Sequence, residues 1–413
     1  MIDVRATALM LGLASGCSFS ASATPSEDAP AASLDGDHDA PEPFTCIPWT
    51  ALDVDPCGAT LTTPSVLVLG AGSHVVDGDA GTLVTDGGSP MPLPGGLAVQ
   101  AGGPMVRVVS ARSLRVDTAA VVQVTGTRPV IFVVHGDASI DGILDASARV
   151  SGAGATSTAG PGGNDAAACA AASGEGGESS SGTGGGGGGA GGAHGGDGGD
   201  GGDGHGSGHG SKGAKGAKTT DPLLVPLRGG CSGGKGGDDS VVAIDEGGRA
   251  GDGGGALEIT ARGAIVIGGS LIANGSFGAA GGGVTQVRAG GGGGGSGGAL
   301  LLDGETITLR PTAKVCANGG GGGEGGQLAM TSSPGAAPIC SMARALGGAI
   351  QADGGDGGDG GAAAGVNATA AANGANNAGG GGGGGGAGRT RFRGRGQAAT
   401  IDPGAIVSPL PGA

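Results

Sequence analysis

The chain contains no tyrosine, one tryptophan and five phenylalanines in 413 residues. That scarcity removes the large rigid side chains that fill cores and form stacking platforms for sugars or bases. Basic residues are also few, with 21 Lys and Arg against 36 Asp and Glu, a formal charge of −15. Such a balance disfavours nucleic acid and anionic lipid surfaces as partners and favours solubility. Helix-forming runs are nearly missing: only "AAACAAAS" at 166–173 has local helix propensity, and glycines surround it. No G-x-S-x-G, H-E-x-x-H, P-loop or strand-linked G-x-G-x-x-G in a βαβ context occurs. What the chain has instead is glycine, 106 residues of it, with 21 Pro, a composition that by itself signals low complexity. Glycine brings no side chain to bury and loses the most backbone entropy on ordering, so the expected core is much smaller than the length suggests.

The first residues, "MIDVRATALMLGLASGC", combine Arg5, an apolar run from Ala6 to Leu13 and small residues before Cys17. The run is too short to span a bilayer and reads as an export signal. "LASGC" resembles a bacterial lipobox, although its Leu sits one place further out than usual and Asp3 dilutes the positive start. The resemblance implies acylation of Cys17 and, with Ser18 following it, anchoring in the outer membrane of a Gram-negative bacterium. Residues 26–57 then carry Glu27, Asp28, Asp35, Asp37, Asp39, Glu42, Asp53 and Asp55 with no Lys or Arg, the pattern of a solvated tether. Apart from Cys17 the chain has Cys46, Cys57, Cys169, Cys231, Cys316 and Cys340, an even six for which an exported chain predicts disulfides. The sequential pairing Cys46–Cys57, Cys169–Cys231, Cys316–Cys340 is favoured because each pair closes one local loop. No spacing suggests zinc.

Beneath the glycine lies a repeat. Five stretches share one design: "GGPMVRVVSARSLRVDTAAVVQVTG" (102–126), "RPVIFVVHGDASIDGILDASA" (128–148), "GGALEITARGAIVIGGSLIANG" (254–275), "GGALLLDGETITLRPTAKVCANGG" (297–320) and "GRTRFRGRGQAATIDPGAIVSP" (388–409). Each has a β-rich run, a polar or Gly corner, a second alternating run, another corner and a short third run. Three strands and three corners in about twenty residues are the footprint of one coil of a right-handed parallel β-helix. Residues 59–100 add a leading coil or two, and with a spacing of about 4.8 Å per coil the stack is roughly 30 Å long. One coil cannot bury its apolar face alone, so only the array is stable. In the last coil Arg389, Arg391, Arg393 and Arg395 fall at period two and point one way, as a charged outer face protecting the end of the stack.

All long glycine tracts fall between coils, and loops leaving one corner of a solenoid emerge side by side. Three readings of the tracts compete. The first is disorder, since polyglycine buries too little area to offset its entropy. The second is a bundle of polyproline-II-like strands, in which "GGDGGDGGD" (195–203) and "GGDGGDGGA" (354–362) place Asp along one edge and bare glycine on the other two. The third is calcium binding by G-G-x-G-x-D-x-U-x repeats, which fails because the apolar position is His205 or Gly. A Cys169–Cys231 crosslink around the longest tract favours partly ordered strands. His194, His205 and His209 with Asp200 or Asp203 form a conceivable metal set, but a glycine loop organises such a site poorly, and solvated histidines are expected.

Parallel β-helices include polygalacturonases, which carry N-T-D, D-D, G-H-G and R-I-K on successive coils. This chain has "GHG" at 204–206 and 208–210 and "DD" at Asp238–Asp239, all inside insertions, with neither N-T-D nor R-I-K. The lipobox, the acidic tether, "GTRPVIFVVHGDASIDGILDASA", "PLRGGC" (226–231) and the later coils, in that order, resemble the glycine-rich exported proteins of myxobacterial type. That resemblance implies a surface location and the coil pattern, and no activity. The expected organisation is a signal peptide (1–16), a tether ending in a Cys pair (17–57), first coils (58–148), an insertion (149–253), middle coils (254–320) with a loop at 276–296, a second insertion (321–387) and a terminal coil (388–413). The expected function is a non-catalytic, lipid-anchored structural or adhesive surface protein without cofactor. It would touch the membrane through its anchor and contact envelope polysaccharide or protein. The alternative is a carbohydrate-active β-helix enzyme or binder.

Overall fold

A computed structural model of the chain describes residues 44–58, 64–151, 156–219, 221–240, 247–282 and 287–412; Cys17 and the expected signal peptide lie outside them. The described residues are all-β and contain no helix. The "AAACAAAS" stretch forms turns, with the Cys169 amide donating to the Asp165 carbonyl at 2.8 Å. Five strands come first: β1 (Ser65–Leu69), β2 (Gly72–Asp77), β3 (Thr82–Thr85), β4 (Met91–Pro92) and β5 (Gly95–Val99). The repeats follow as β6 (Met105–Val116) with β7 (Ala120–Thr125), then β8 (Val130–Val134), β9 (Ala138–Ile140) and β10 (Ile143–Asp145). After a small hairpin of β11 (Arg149–Ser151) and β12 (Thr156–Thr158) come β13 (Ala256–Ala261), β14 (Ala264–Ile267) and β15 (Ser270–Ile272). The last two repeats are β16 (Ala299–Gly304), β17 (Thr306–Leu309) and β18 (Lys314–Cys316), then β19 (Arg389–Gly394), β20 (Thr400–Ile401) and β21 (Ile406–Ser408).

Each strand pairs in parallel with its counterpart in the next repeat. The largest sheet is curled, running β19-β16-β13-β8-β6-β9-β14-β17-β20. It turns on β6, whose first part pairs with β8 (Arg107↔Val130 to Ala111↔Val134) and whose end pairs with β9 (Leu114↔Ala138 to Val116↔Ile140). A second sheet stacks β21-β18-β15-β10-β7-β2. Registers align like side chains in rows, so that Val109, Phe132, Ile259, Leu302 and Phe392 occupy one inward row. Together with Leu144, Leu271 and Val315 from the second sheet they form one apolar core. Residues 59–100 supply less parallel structure than expected. Only β1 and β2 extend the stack, while β3, β4 and β5 turn antiparallel, and β5 covers the edge of β6. An antiparallel cover closes a ladder that would otherwise present unpaired amides.

The three insertions leave from one corner. There Ser147 Oγ accepts the Asn274 amide (3.0 Å), Asn274 Oδ1 accepts the Asn318 amide (2.7 Å), and Asn318 Oδ1 accepts the Ser408 hydroxyl (2.6 Å). Beyond that corner the glycine tracts pack on one another through their main chains. Amides of 186, 189 and 192 donate to carbonyls of 288, 291 and 294; those of 187, 190 and 193 to 178, 175 and 172; those of 188 and 191 to 202 and 199. The same segment accepts from 210, 213 and 216, from 234 and 237, and from 380, 383 and 386. Every third residue thus addresses the same neighbour, the three-residue period of a polyproline-II backbone. Segments 289–298 and 379–388 are surrounded by main-chain partners in the same way, and all three central segments bond to one another.

Such packing leaves no room for a side chain. A Cβ on Gly188 would run into the Gly381 carbonyl and one on Gly291 into the Gly323 carbonyl, whereas on Gly176 it would meet only the Lys235 oxygen, at 3.3 Å. We expect Gly188→Ala and Gly291→Ala each to lower the unfolding free energy by at least ~2 kcal/mol. Gly176→Ala should stay within ~0.5 kcal/mol of the parent, as read from urea unfolding.

Candidate functional site

Outward-facing residues of the first ladder are not solvated. In register across β6, β8, β13, β16 and β19 lie Val108, Ile131, Glu258, Leu301 and Arg391, and beside them Ser110, Val133, Thr260, Asp303 and Arg393. Two segments cover this face. One runs from Phe44 to Gly58 and brings Trp49, Leu52 and Val54; the other brings Leu224 and Leu227. The Cys46–Cys57 pair, at disulfide distance with Cα atoms 5.7 Å apart, closes the first covering segment on itself.

Within this apolar cover Glu258 is 0% exposed and faces the half-buried Asp53 of the covering segment. As carboxylates their four oxygens find no hydrogen-bond donor. A proton held between them supplies the missing bond. Burial pushes the Asp53 carboxyl up to about 6, with the Asp221 charge adding to the effect. Burial and then the Asp53 charge raise Glu258 well above the usual carboxylate range. Nearby, Trp49 Nε1 donates to Thr260 Oγ1 at 3.5 Å. Asp303, also fully buried, is raised by burial while Arg395 (2.8 Å) and Arg393 (3.4 Å) oppose the shift. His135 lies edge-on to Phe44 (centroids 4.6 Å) and Trp49 (5.2 Å), with Nε2 3.4 Å from Ser110 Oγ; burial lowers its pKa.

The arginine row expected as a solvated terminal face does different work. Arg389 donates to the Thr219 carbonyl, Arg391 to that of Leu223, Arg393 to that of Thr50, and Arg395 to Asp303. Their period of two does put them on one side, but that side is the covered one. The guanidinium groups pin both covering segments to the sheet, and Arg393 and Arg395 supply the donors that the buried Asp303 carboxylate needs.

The residues of the "GGD" tract sit on the rim of the glycine bundle. Asp197, Asp200 and Asp203 accept the backbone amides of Lys218, Lys215 and Lys212 at 2.9, 3.0 and 3.0 Å. Each carboxylate thereby replaces the carbonyl that one more glycine strand would have provided. His205 and His209 are exposed, as expected, but His194 is buried, its Nδ1 3.2 Å from the Gly298 carbonyl, and desolvation lowers its pKa to about 4. Its neighbours in the sequence are bundle glycines, and its ring reaches Gly298, the residue that precedes β16. Asp238 pairs with Lys235 (3.0 Å) and Asp239 accepts the Arg288 amide (3.2 Å). Among the described residues no three His, Cys, Asp or Glu side chains are grouped to hold a metal ion. Cys169–Cys231 and Cys316–Cys340 also stand at disulfide distance, with Cα separations of 5.5 and 5.3 Å.

No known protein family, curated protein or solved structure matches this chain. The chemistry of the covered face must therefore be read from its own groups. A carboxyl pair that holds one proton between a sheet and its cover makes closure of the cover depend on pH. Both groups ionise less readily in the folded protein than in the unfolded chain, so the folded state keeps its protons to higher pH. The stabilisation from Asp53 is complete below its usual value of 3.8 and lost as pH rises through about 6; Glu258 extends the loss upward.

Trp49 is the chain's only tryptophan and lies in the cover, so its fluorescence reports directly. We expect its emission to shift to the red, and the urea midpoint to fall, as pH is raised through about 6. In Glu258→Gln both changes should flatten, because an amide donates to Asp53 without a proton to lose. A wild-type emission independent of pH would contradict this account.

Proposed function

We propose that this protein is a non-catalytic structural or adhesive component of a bacterial cell surface, anchored through acylated Cys17. In this reading the repeats form a right-handed parallel β-helix, the acidic residues up to Glu42 are a tether, the Cys46–Cys57 segment being part of the folded body instead, and the glycine bundle is a rigid slab carried on one corner of the helix. One observation carries the proposal. Segments 184–194, 289–298 and 379–388 bond to their surroundings chiefly through main-chain groups, with His194 and Ser296 as side-chain exceptions, which gives a stiff body with few side chains inside it. Such a body suits display and contact with envelope polysaccharide or protein. Three cysteine pairs at disulfide distance suit an oxidising, exported setting.

Two measurements test the reading. Labelling with an alkyne fatty acid should mark the wild type and vanish in Cys17→Ser, and a label that persists would refute the anchor. On an oligosaccharide array with a reducing-sugar assay, binding without turnover is expected. Saturable cleavage of a polyuronate, abolished by His209→Ala, would replace the structural role with a catalytic one.

A further inference from the structure

An open cavity of about 390 Å³ lies where the first glycine insertion meets the segment that covers the sheet. That volume falls within the ~300–1,000 Å³ typical of small-molecule sites. Three pieces of chain line it: the turn at 167–172, His194 with the stretch from Ala217 to Thr219, and the loop from Asp221 to Gly229.

Its walls are fixed before any ligand arrives. Cys169 and Cys231, at disulfide distance, join the turn to the end of the loop. The Ala217 amide donates to the Ala171 carbonyl (3.0 Å), the Thr219 amide to the His194 carbonyl (2.9 Å), and the Arg389 guanidinium to the Thr219 carbonyl. Arg228 donates to the Gly102 carbonyl and stands 3.7 Å from Asp165. A site built in advance loses less entropy on binding.

The lining is largely apolar, with two charges left over. Ala167, Ala168, Ala171, Ala217, Leu224 and Pro226 contribute methyls and aliphatic carbons. Arg228 is balanced by Asp165, and burial, helped by the Arg389 charge, lowers His194 to about 4, so that its ring is neutral at ordinary pH. Lys218 and Asp221 remain. The Lys218 amide is taken by Asp197 (2.9 Å), but its exposed ammonium has no partner among the described residues. Asp221 Oδ1 accepts the Leu223 amide (3.1 Å), and Oδ2 has no donor among those residues. The two side chains are not within ion-pair distance of each other, so both charges face the cavity unspent.

We propose that this cavity binds a short aliphatic peptide with both termini free, its carboxylate toward Lys218 and its ammonium toward Asp221. Each feature of the lining selects a part of that ligand. Unpaired charges of both signs call for a zwitterion, since a plain anion would meet Asp221 and a plain cation Lys218. Alanine methyls and Leu224 suit small aliphatic side chains, and no aromatic ring is present on which a sugar could stack. The volume is more than one amino acid fills and suits a dipeptide. This binding requires neither the anchor nor an adhesive role, and it stands if either fails.

The test uses the full chain with Cys17→Ser, titrated with alanyl-leucine, N-acetyl-alanyl-leucine and alanyl-leucinamide and followed by amide chemical shifts. Alanyl-leucine should saturate one site with a Kd of roughly 1 mM or below, moving the signals of Ala217, Thr219 and Gly229. Each blocked peptide should bind about tenfold more weakly or worse, because it leaves one charge of the site unmatched. The substitutions should sort by terminus. Lys218→Gln should abolish the preference for the free carboxylate and leave that for the free ammonium, and Asp221→Asn should do the reverse. Neither should move the urea midpoint, since Lys218 is exposed and Asn keeps the oxygen that accepts the Leu223 amide. Failure of alanyl-leucine to bind would overturn the proposal. So would equal binding of the three peptides, or binding that neither substitution alters.

Discussion

The structure depends on main-chain hydrogen bonds made where no side chain can stand. Ordering one residue's backbone costs ~1–2 kcal/mol, and a typical hydrogen bond returns a net ~0.5–1.5 kcal/mol. Glycine tracts therefore gain nothing from partial association. They hold together when nearly all amides and carbonyls of an inner segment are satisfied and when the segments are delivered already side by side. Both conditions are met here. Each of the three insertions contributes one central segment, 184–194, 289–298 and 379–388, and all three leave the same corner, fixed by Ser147, Asn274, Asn318 and Ser408.

Two interiors with opposite chemistry thus share one chain. The repeats bury Val109, Phe132, Ile259 and Leu302 in a row that the partly buried Phe392 ends, and the apolar effect sets their register. The bundle buries chiefly backbone, and the three-residue period sets its register. Where the bundle runs out of strands, side chains substitute for backbone, as Asp197, Asp200 and Asp203 do for Lys218, Lys215 and Lys212. The acids of the "GGD" triplets are thereby parts of a hydrogen-bonded edge, and they need no bound ion to explain their spacing.

Much of the strand pattern was legible in the sequence. Alternation with period two is a local property, and all five copies of the repeat appear as strands paired in parallel. The triplet period of the glycine tracts was legible too, although sequence alone left order and disorder open, because the deciding bonds join residues as far apart as Gly189 and Gly383. The covered face was not legible. Glu258 is a single charge in the strand run "LEIT" that drew no notice there, and it is buried by Asp53, Trp49 and Leu227, which lie far from it along the chain. The arginines of β19 and the buried His194 were misread for the same reason: which side of a strand is covered depends on loops that periodicity does not encode. A charge on an apolar strand, opposite a lone Trp in an acidic tether, was the signal that could have marked the site.

Hydrogen exchange measured residue by residue tests the central claim most directly. If the glycine tracts are held by their main chains, amides of 184–194, 289–298 and 379–388 will be protected to a degree comparable with the strands Val130–Val134 and Ala299–Gly304. Exchange of those glycine amides at random-coil rates, alongside protected strands, would contradict it.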